Sequence, residues 1–405
     1  MSRKSISLYL IIVSVSFLSG CWSKQELNEL AIISGMSIDK NEEGRYIKTI
    51  QLLNPSSVAG GLQGGGAGQS PAVTVYTATG DSVLEAHFNA ITKISRKLYH
   101  AHANLIVVGE EVAQEDGLEN VLDAFERDPE IRPTAKVVIA HNTKAGDLLK
   151  SLTAVDKIPA EKVNGTLQTT EQSSGTNIEV TLQDVIKALT SEGKEPVLSG
   201  VNMKGDIELG KKMENIQRSE LDTTLEADGL AIFKEGKLID WYHDDMAKGV
   251  IWILDKMKQT DLELDRDGKE NAIVYNVIRQ KTKVSADTKN DIPAITINVR
   301  AEGDIREVRT PVNLEDPKVI LEIEKELEKK IKTMLEETVK RTQQNRTDIF
   351  GFGEEVHRSN PKKWRKVKSE WNNNYFPNLN VKIKVEAYIR RTGLRSNSFF
   401  SDIKD

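Results

Sequence analysis

The sequence predicts an α+β protein of several domains, three in our reading, with mixed sheets packed against helices. Three observations carry that reading. The chain has 405 residues, and at roughly 100–200 residues per domain it exceeds a single core. Its first half alternates short runs rich in β-branched residues with amphipathic helical segments. Its last part sets two strictly alternating strands on either side of one long, well-capped helix. The expected division is a signal segment over 1–20, an N-terminal α/β domain over 21–152, a small middle domain or extension over 153–221, a C-terminal α+β domain over 222–395, and a polar tail over 396–405.

The chain opens with Arg3 and Lys4, an apolar run from Ile6 to Phe17, and Leu18-Ser19-Gly20 before Cys21. This run of twelve residues rises about 18 Å, short of the roughly 30 Å hydrocarbon core, so it reads as an export signal. Cys21 is the only cysteine. Leu-Ser-Gly-Cys matches a bacterial lipoprotein signal, in which the thiol takes diacylglycerol and cleavage falls just before it. Only a thiol forms that thioether. The competing readings are a secretory signal with an incidental cysteine and a short uncleaved anchor; the agreement of basic, apolar and Leu-x-Gly-Cys segments favours lipidation of Cys21. Two acyl chains, at about 0.8 kcal/mol per buried CH₂, suffice for stable attachment. With one cysteine no internal disulfide forms, and stability must come from packing.

Composition narrows the function classes. Charged residues make up 29% and hydrophobic ones 38% of the chain, with a net charge of −5. Without residues 1–20 there remain 54 basic against 61 acidic residues, a charge of −7. An acidic body lacks the basic footprint that nucleic-acid phosphates require.

In chain order, Leu30 to Asp39 and Tyr46 to Leu53 flank the turn Asn41-Glu42-Glu43-Gly44 and predict a hairpin about nine residues from the lipid. The segment "PSSVAGGLQGGGAGQSP" reads as a mobile insertion, because it has neither a Gly-Lys-Ser/Thr ending nor a GxGxxG opening a helix. A strand follows at Val73 to Thr79. Asp81 or Ser82 then caps a helix, with Ser82 and Glu85 in capping-box spacing and Leu84, Phe88 and Ile91 as the expected buried stripe. Asn104 to Val108 is a buried strand, Leu118, Val121, Leu122 and Phe125 mark a helix, Ala135 to Ala140 is a strand, and a helix surrounds Ala145 to Leu152. Beyond Thr153 apolar density falls, and "NGTLQTTEQSSGTN" is expected to be a loop, before a helix over Val180 to Leu189 and a strand over Val197 to Met203. "GLAIFKEGKLIDWY" predicts a second hairpin, and Asp244 or Asp245 caps the helix after it. Ile295, Ile297 and Val299 alternate in one strand, and Val381, Ile383 and Val385 in another. Between them Asp316 caps and Pro317 starts a long helix with the seam Ile320, Ile323, Leu327, Ile331, Met334 and Leu335. Its pairs Glu326 with Lys330, Glu328 with Lys332, and Glu336 with Lys340 are spaced to support the outer face. The seam suits packing on the domain's own sheet better than a coiled coil.

Chemistry is sparse. The sequence has no Gly-x-Ser-x-Gly, no His-Glu-x-x-His, no P-loop and no EF-hand loop, so no cofactor, metal or catalytic residue is assigned. His100 and His102 could share a strand face and ligate a metal, but no third ligand is near in sequence. In "WYHDD", His243 beside Asp244 invites an acid/base reading, although N-capping accounts better for its place between strand and helix. Trp364 and Trp371 sit among basic residues in "GFGEEVHRSNPKKWRKVKSEW", which suits core aromatics with solvated lysines better than a membrane-facing amphipathic surface.

Five stretches in order, "LSGCWSKQELNELAIISGMSIDK", "ISRKLYHAHANLIVVGEEVA", "DPEIRPTAKVVIA", "GLAIFKEGKLIDWY" and "DIFGFGEEVHRSNPKKWRKV", resemble the Ger(x)C lipoproteins, the C subunits of spore nutrient germinant receptors. Ser23 stands where family members often carry an acidic residue. The resemblance implies a three-domain, non-enzymatic subunit, anchored through Cys21 on the outer face of the spore inner membrane. Its implied partners are the integral-membrane A- and B-type receptor subunits. Against this stand an independent solute-binding lipoprotein, for which no matched pair of hinged lobes is visible, and a cell-wall-acting hydrolase, which needs a carboxylate pair in a cleft.

Overall fold

The computed structural model describes residues 27–55, 57, 70–290 and 292–393. Cys21, most of the glycine-rich insertion and the polar tail lie outside the described residues. Two sheets organise the chain. The larger has nine strands: β1 (Leu30–Lys40), β2 (Tyr46–Leu53), β3 (Val73–Gly80), β4 (Lys97–Tyr99), β5 (Leu105–Gly109), β6 (Lys136–Ala140), β7 (Val197–Gly205), β8 (Thr223–Lys234) and β9 (Lys237–Tyr242). Their order is β3-β2-β1-β5-β6-β7-β8-β9, with β4 beside β1. β1, β5, β6 and β7 run parallel, and antiparallel pairs extend both flanks.

The parallel centre explains the composition of β5, "LIVVG", which is buried throughout. Parallel strands covered on both faces need continuous apolar runs. Ile106, Val108, Val137 and Ile139 face one core, closed by the helices Val83–Ile91, Leu118–Glu126 and Leu182–Leu189. Leu105, Val107, Val138 and Ala140 face the other, closed by the helices Ala145–Lys150 and Pro159–Ser173. The period-two alternation of side chains thus divides one strand between two cores.

The smaller sheet comprises β10 (Thr260–Arg266), β11 (Lys269–Asp287), β12 (Ala294–Val308) and β13 (Asn380–Arg391), in that order. The alternating strands foreseen from sequence are direct neighbours: Ile295 pairs with Val381, Ile297 with Ile383 and Val299 with Val385. The helix Pro317–Gln344 packs on this sheet through Ile323, Leu327, Ile331, Met334 and Leu335. Asp316 caps it, accepting from Lys318 N at 2.9 Å, with Pro317 at the first turn. Glu324 and Glu328 reach from this helix to accept the Ile389 N–H at 2.8 Å and the Ala387 N–H at 3.3 Å, covering donors on the edge strand β13.

Four details depart from the expectation. The helix Val83–Ile91 is capped by Ser82, whose Oγ accepts from Glu85 N at 3.1 Å, but Glu85 Oε2 accepts from Asp81 N at 2.6 Å and not from the cap residue, so the capping box is incomplete. Its buried stripe, however, is Val83, Ala86 and Ala90, leaving Leu84 and Phe88 55% and 58% exposed; small residues bring the helix close to the sheet and turn the large ones out. The stretch expected as a loop after Thr153 lies largely in the helix Pro159–Ser173, whose buried Ala160, Val163, Asn164 and Leu167 keep helical spacing within a threonine-rich run. The hairpin of β8 and β9, placed at the start of the C-terminal domain from sequence, hydrogen-bonds to β7 in the larger sheet. On the long helix, Glu326 pairs instead with Arg266 at 3.7 Å and Lys330 donates to the Glu263 carbonyl at 2.5 Å. Partners on the sheet below displace the neighbours along the helix.

Candidate functional site

Parallel strands place their carboxyl ends on one edge, where ligand crevices form in α/β sheets. Here β1 delivers Asp39, β5 is followed by Glu110, and β6 by His141. Asp39 is buried and accepts the Ala145 and Gly146 N–H groups, both at 2.8 Å, at the start of the helix Ala145–Lys150. Burial pushes its carboxyl pKa up against those two hydrogen bonds. A cavity of about 470 Å³ opens beside it, between Lys40, Glu110, Glu111, Asn142 and Lys144.

Next to this cavity the fold assembles His141, Asp228 and His243 from three distant stretches. His141 is fixed by its backbone N–H, which donates to Val201 O at 2.9 Å. Asn142 Nδ2 lies 3.1 Å from His141 Nε2, so Nε2 accepts and Nδ1 carries the proton. That Nδ1–H donates to Asp228 Oδ2 at 2.9 Å. Asn202 Nδ2 donates to the same oxygen at 3.2 Å, and His243 Nδ1 stands 3.5 Å from Oδ1. Trp241 lies flat on His141, centroids 3.9 Å apart, and its indole N–H donates to Glu110 Oε1 at 2.8 Å.

Two glycines make this packing possible. A Cβ on Gly200 would stand 2.5 Å from the Trp241 ring, and one on Gly229 2.5 Å from His243 Nδ1. Gly229 also has φ +72°, in the left-handed region.

One ligand atom from each of His141, Asp228 and His243 lies within 4.8 Å of the others, a donor set suited to zinc or a similar divalent ion. Hydrogen bonds already engage His141 and Asp228, while His243 stands beside Asp228 without one. His141 and Asp228 therefore form a bonded polar pair with His243 at its open side, and the three together could hold a metal ion.

The sequence pointed to His243 but coupled it to Asp244. The structure places His243 at the cap position without a side-chain capping bond and turns it to Asp228. His141 and Asp228 were missed; "VVIAHN", a polar pair ending a buried parallel strand, was the available signal. His100 and His102 occupy a 3₁₀ turn and separate: His100 faces Glu130 at 3.5 Å and Asp128 at 3.8 Å, while His102 packs on Tyr99. Trp364 and Trp371 are buried edge to face at 5.2 Å, and Arg365, Lys366 and Lys368 beside them are exposed. Trp371 donates to fully buried Asp348.

Comparison with known proteins fits these observations. The family described as "Spore germination protein N-terminal domain" matches residues 23–203, and "Spore germination B3/GerAC like, C-terminal" matches residues 228–393. The chain is 43% identical over 406 residues to spore germination protein KC of Bacillus subtilis (strain 168), covering 100% of both. It belongs to the Ger(x)C family of spore germination proteins. Another relative, spore germination protein GerQC of Bacillus cereus, is 23% identical over 95% of this chain and 98% of its own. The crystal structure of the GerBC protein aligns with a TM-score of 0.55 at 19% identity, covering 88% of this chain and 97% of that one, and shows a shared fold. Within this Ger(x)C chain the cluster spans the two family segments: His141 and Asn202 lie in the first, Asp228 and His243 in the second.

Proposed function

We propose that this chain is the lipid-anchored, non-catalytic C subunit of a nutrient germinant receptor. Cys21 carries the lipid, the body sits on the outer face of the spore inner membrane, and A- and B-type integral-membrane subunits are its partners. The observation that carries the reading is the 43% identity over the full length of a spore germination protein. Among the described residues no helix is long and apolar enough to cross a membrane, so the reading assigns attachment to the Leu-Ser-Gly-Cys segment. The test is affinity capture of the tagged full-length protein from detergent-solubilised spore membranes, beside Cys21→Ala. The expected result is co-purification of polytopic subunits with the wild type and release of Cys21→Ala into the soluble fraction. Capture of the wild type without membrane subunits would overturn the assembly, and a membrane-bound Cys21→Ala would overturn the anchor.

A further inference from the structure

Lys48 lies in the middle of β2 and is 5% exposed. Its ammonium stands 4.6 Å over the Phe125 ring, and no described residue gives it a hydrogen bond or an ion pair. Asp128 acts on it only through space, and a buried charge without a bonded partner is costly, which is why such groups are normally paired. Burial pushes its pKa down to about 8, so it is still mainly charged at neutral pH. His87 Nδ1, on the helix Val83–Ile91, is also buried without a partner. Burial first, then the charge of Lys48, hold that imidazole neutral, at about 4. Both side chains line one cavity of about 540 Å³ between the helices Val83–Ile91 and Leu118–Glu126, and the exposed Leu84 and Phe88 stand at its mouth.

We propose that this recess binds a small carboxylate bearing a short apolar chain, with the Lys48 ammonium as its counter-ion. The bound carboxylate supplies the acceptor that Lys48 lacks, His87 offers a second hydrogen-bonding atom, and Leu84, Phe88 and Val83 cover the chain. The other groups are committed. Arg127 pairs with Asp123 at 2.8 Å, the Tyr46 hydroxyl donates to Asp116 at 2.7 Å, and His100 faces Asp128 and Glu130. Among the described residues of the recess, Lys48 is the cation without a bonded partner, and with Asp123 and Asp128 also on the wall it suits a monoanion and disfavours phosphate, whose second charge would meet Asp128. The inference is independent of the receptor reading.

The test compares thermal unfolding of the full-length protein in detergent with about 50 mM sodium butyrate, butyramide, sodium chloride or sodium phosphate, at matched ionic strength. Butyrate should raise Tm by at least about 2 °C over chloride, with butyramide and phosphate below half of that. Lys48→Met keeps the stem and removes the charge, so it should fold and lose the butyrate response. Leu84→Glu, at an exposed position, should fold normally and also lose it by repulsion. No butyrate response in the wild type, an equal response in either variant, or an equal response to phosphate would overturn the proposal.

Discussion

Asp348 links the local chemistry of this fold to a measurable pH dependence. Its carboxylate is fully buried and accepts four hydrogen bonds: Oδ1 from Gly351 N at 2.9 Å and Phe352 N at 3.1 Å, Oδ2 from Gly353 N at 2.7 Å and Trp371 Nε1 at 2.8 Å. Burial outweighs these donors and pushes the pKa from 3.8 up to about 6. Because the folded state holds this proton more tightly than the unfolded chain, the contribution is fully present below 3.8 and is lost as pH rises through about 6. At 1.36 kcal/mol per pH unit the loss is about 3 kcal/mol. Asp348→Asn removes the titration. Its amide oxygen can serve one pair of donors, but its NH₂ faces the other pair, at about 1–3 kcal/mol for each donor left unpaired. The variant should therefore be clearly less stable in acid, and the gap should close by about 3 kcal/mol above pH 6. His87, pushed down to about 4, titrates in both proteins and cancels in the difference, whereas Glu195, pushed up to about 7 by burial and in part by the charge of Asp348, has a lower pKa in the variant, which closes the gap in the same direction. Urea melts of both proteins between pH 4 and 8, followed by tryptophan fluorescence, measure the gap. A gap that stays constant or widens with pH would refute the reasoning.

Other consequences are local. Gly229→Ala forces a left-handed alanine and a Cβ 2.7 Å from Tyr242 O; it should cost at least about 1–2 kcal/mol in chemical denaturation. The double variant Glu324→Ala, Glu328→Ala uncovers two N–H groups of the edge strand β13, and should increase self-association in light scattering with little change in secondary structure. Leu84→Ser should change stability by no more than about 0.5 kcal/mol, whereas Leu327→Ala, fully buried in the seam, should cost about 2–5 kcal/mol. Comparable losses for these two would reject the helix orientation described above.

Legibility followed how local the determinant was. The seam from Ile323 to Leu335, the cap at Asp316 and the alternation in β12 and β13 are written within a few turns of chain, and the structure follows them. The face of the helix Val83–Ile91 was misjudged because its packing residues are small: periodicity weighted Leu84 and Phe88, while contact with β3 selected Ala86 and Ala90. The helix Pro159–Ser173 was hidden by its threonines, and Thr170 Oγ1 and Ser173 Oγ donate back to the Thr166 and Thr169 carbonyls at 2.7 and 2.6 Å. The candidate site was least visible, because His141 and Asp228 are 87 residues apart and meet only once β6, β7 and β8 are in register. Lys48 was not singled out within the strand Tyr46 to Leu53, since nothing in its neighbours announces its burial.

The arrangement of His141 favours a structural or binding role over proton transfer. A general base needs a free lone pair directed at the substrate. Here Nε2 accepts from Asn142, and Nδ1–H is held by Asp228. Asp228 in turn takes a second donor from Asn202 on the same oxygen and faces His243 with the other. Trp241 closes one face of the His141 ring and is itself pinned to Glu110. Proton transfer through His141 would first have to break bonds that also hold β6, β7 and the hairpin of β8 and β9 together. What the cluster does as it stands is fasten the first family segment to the second across the edge of one sheet.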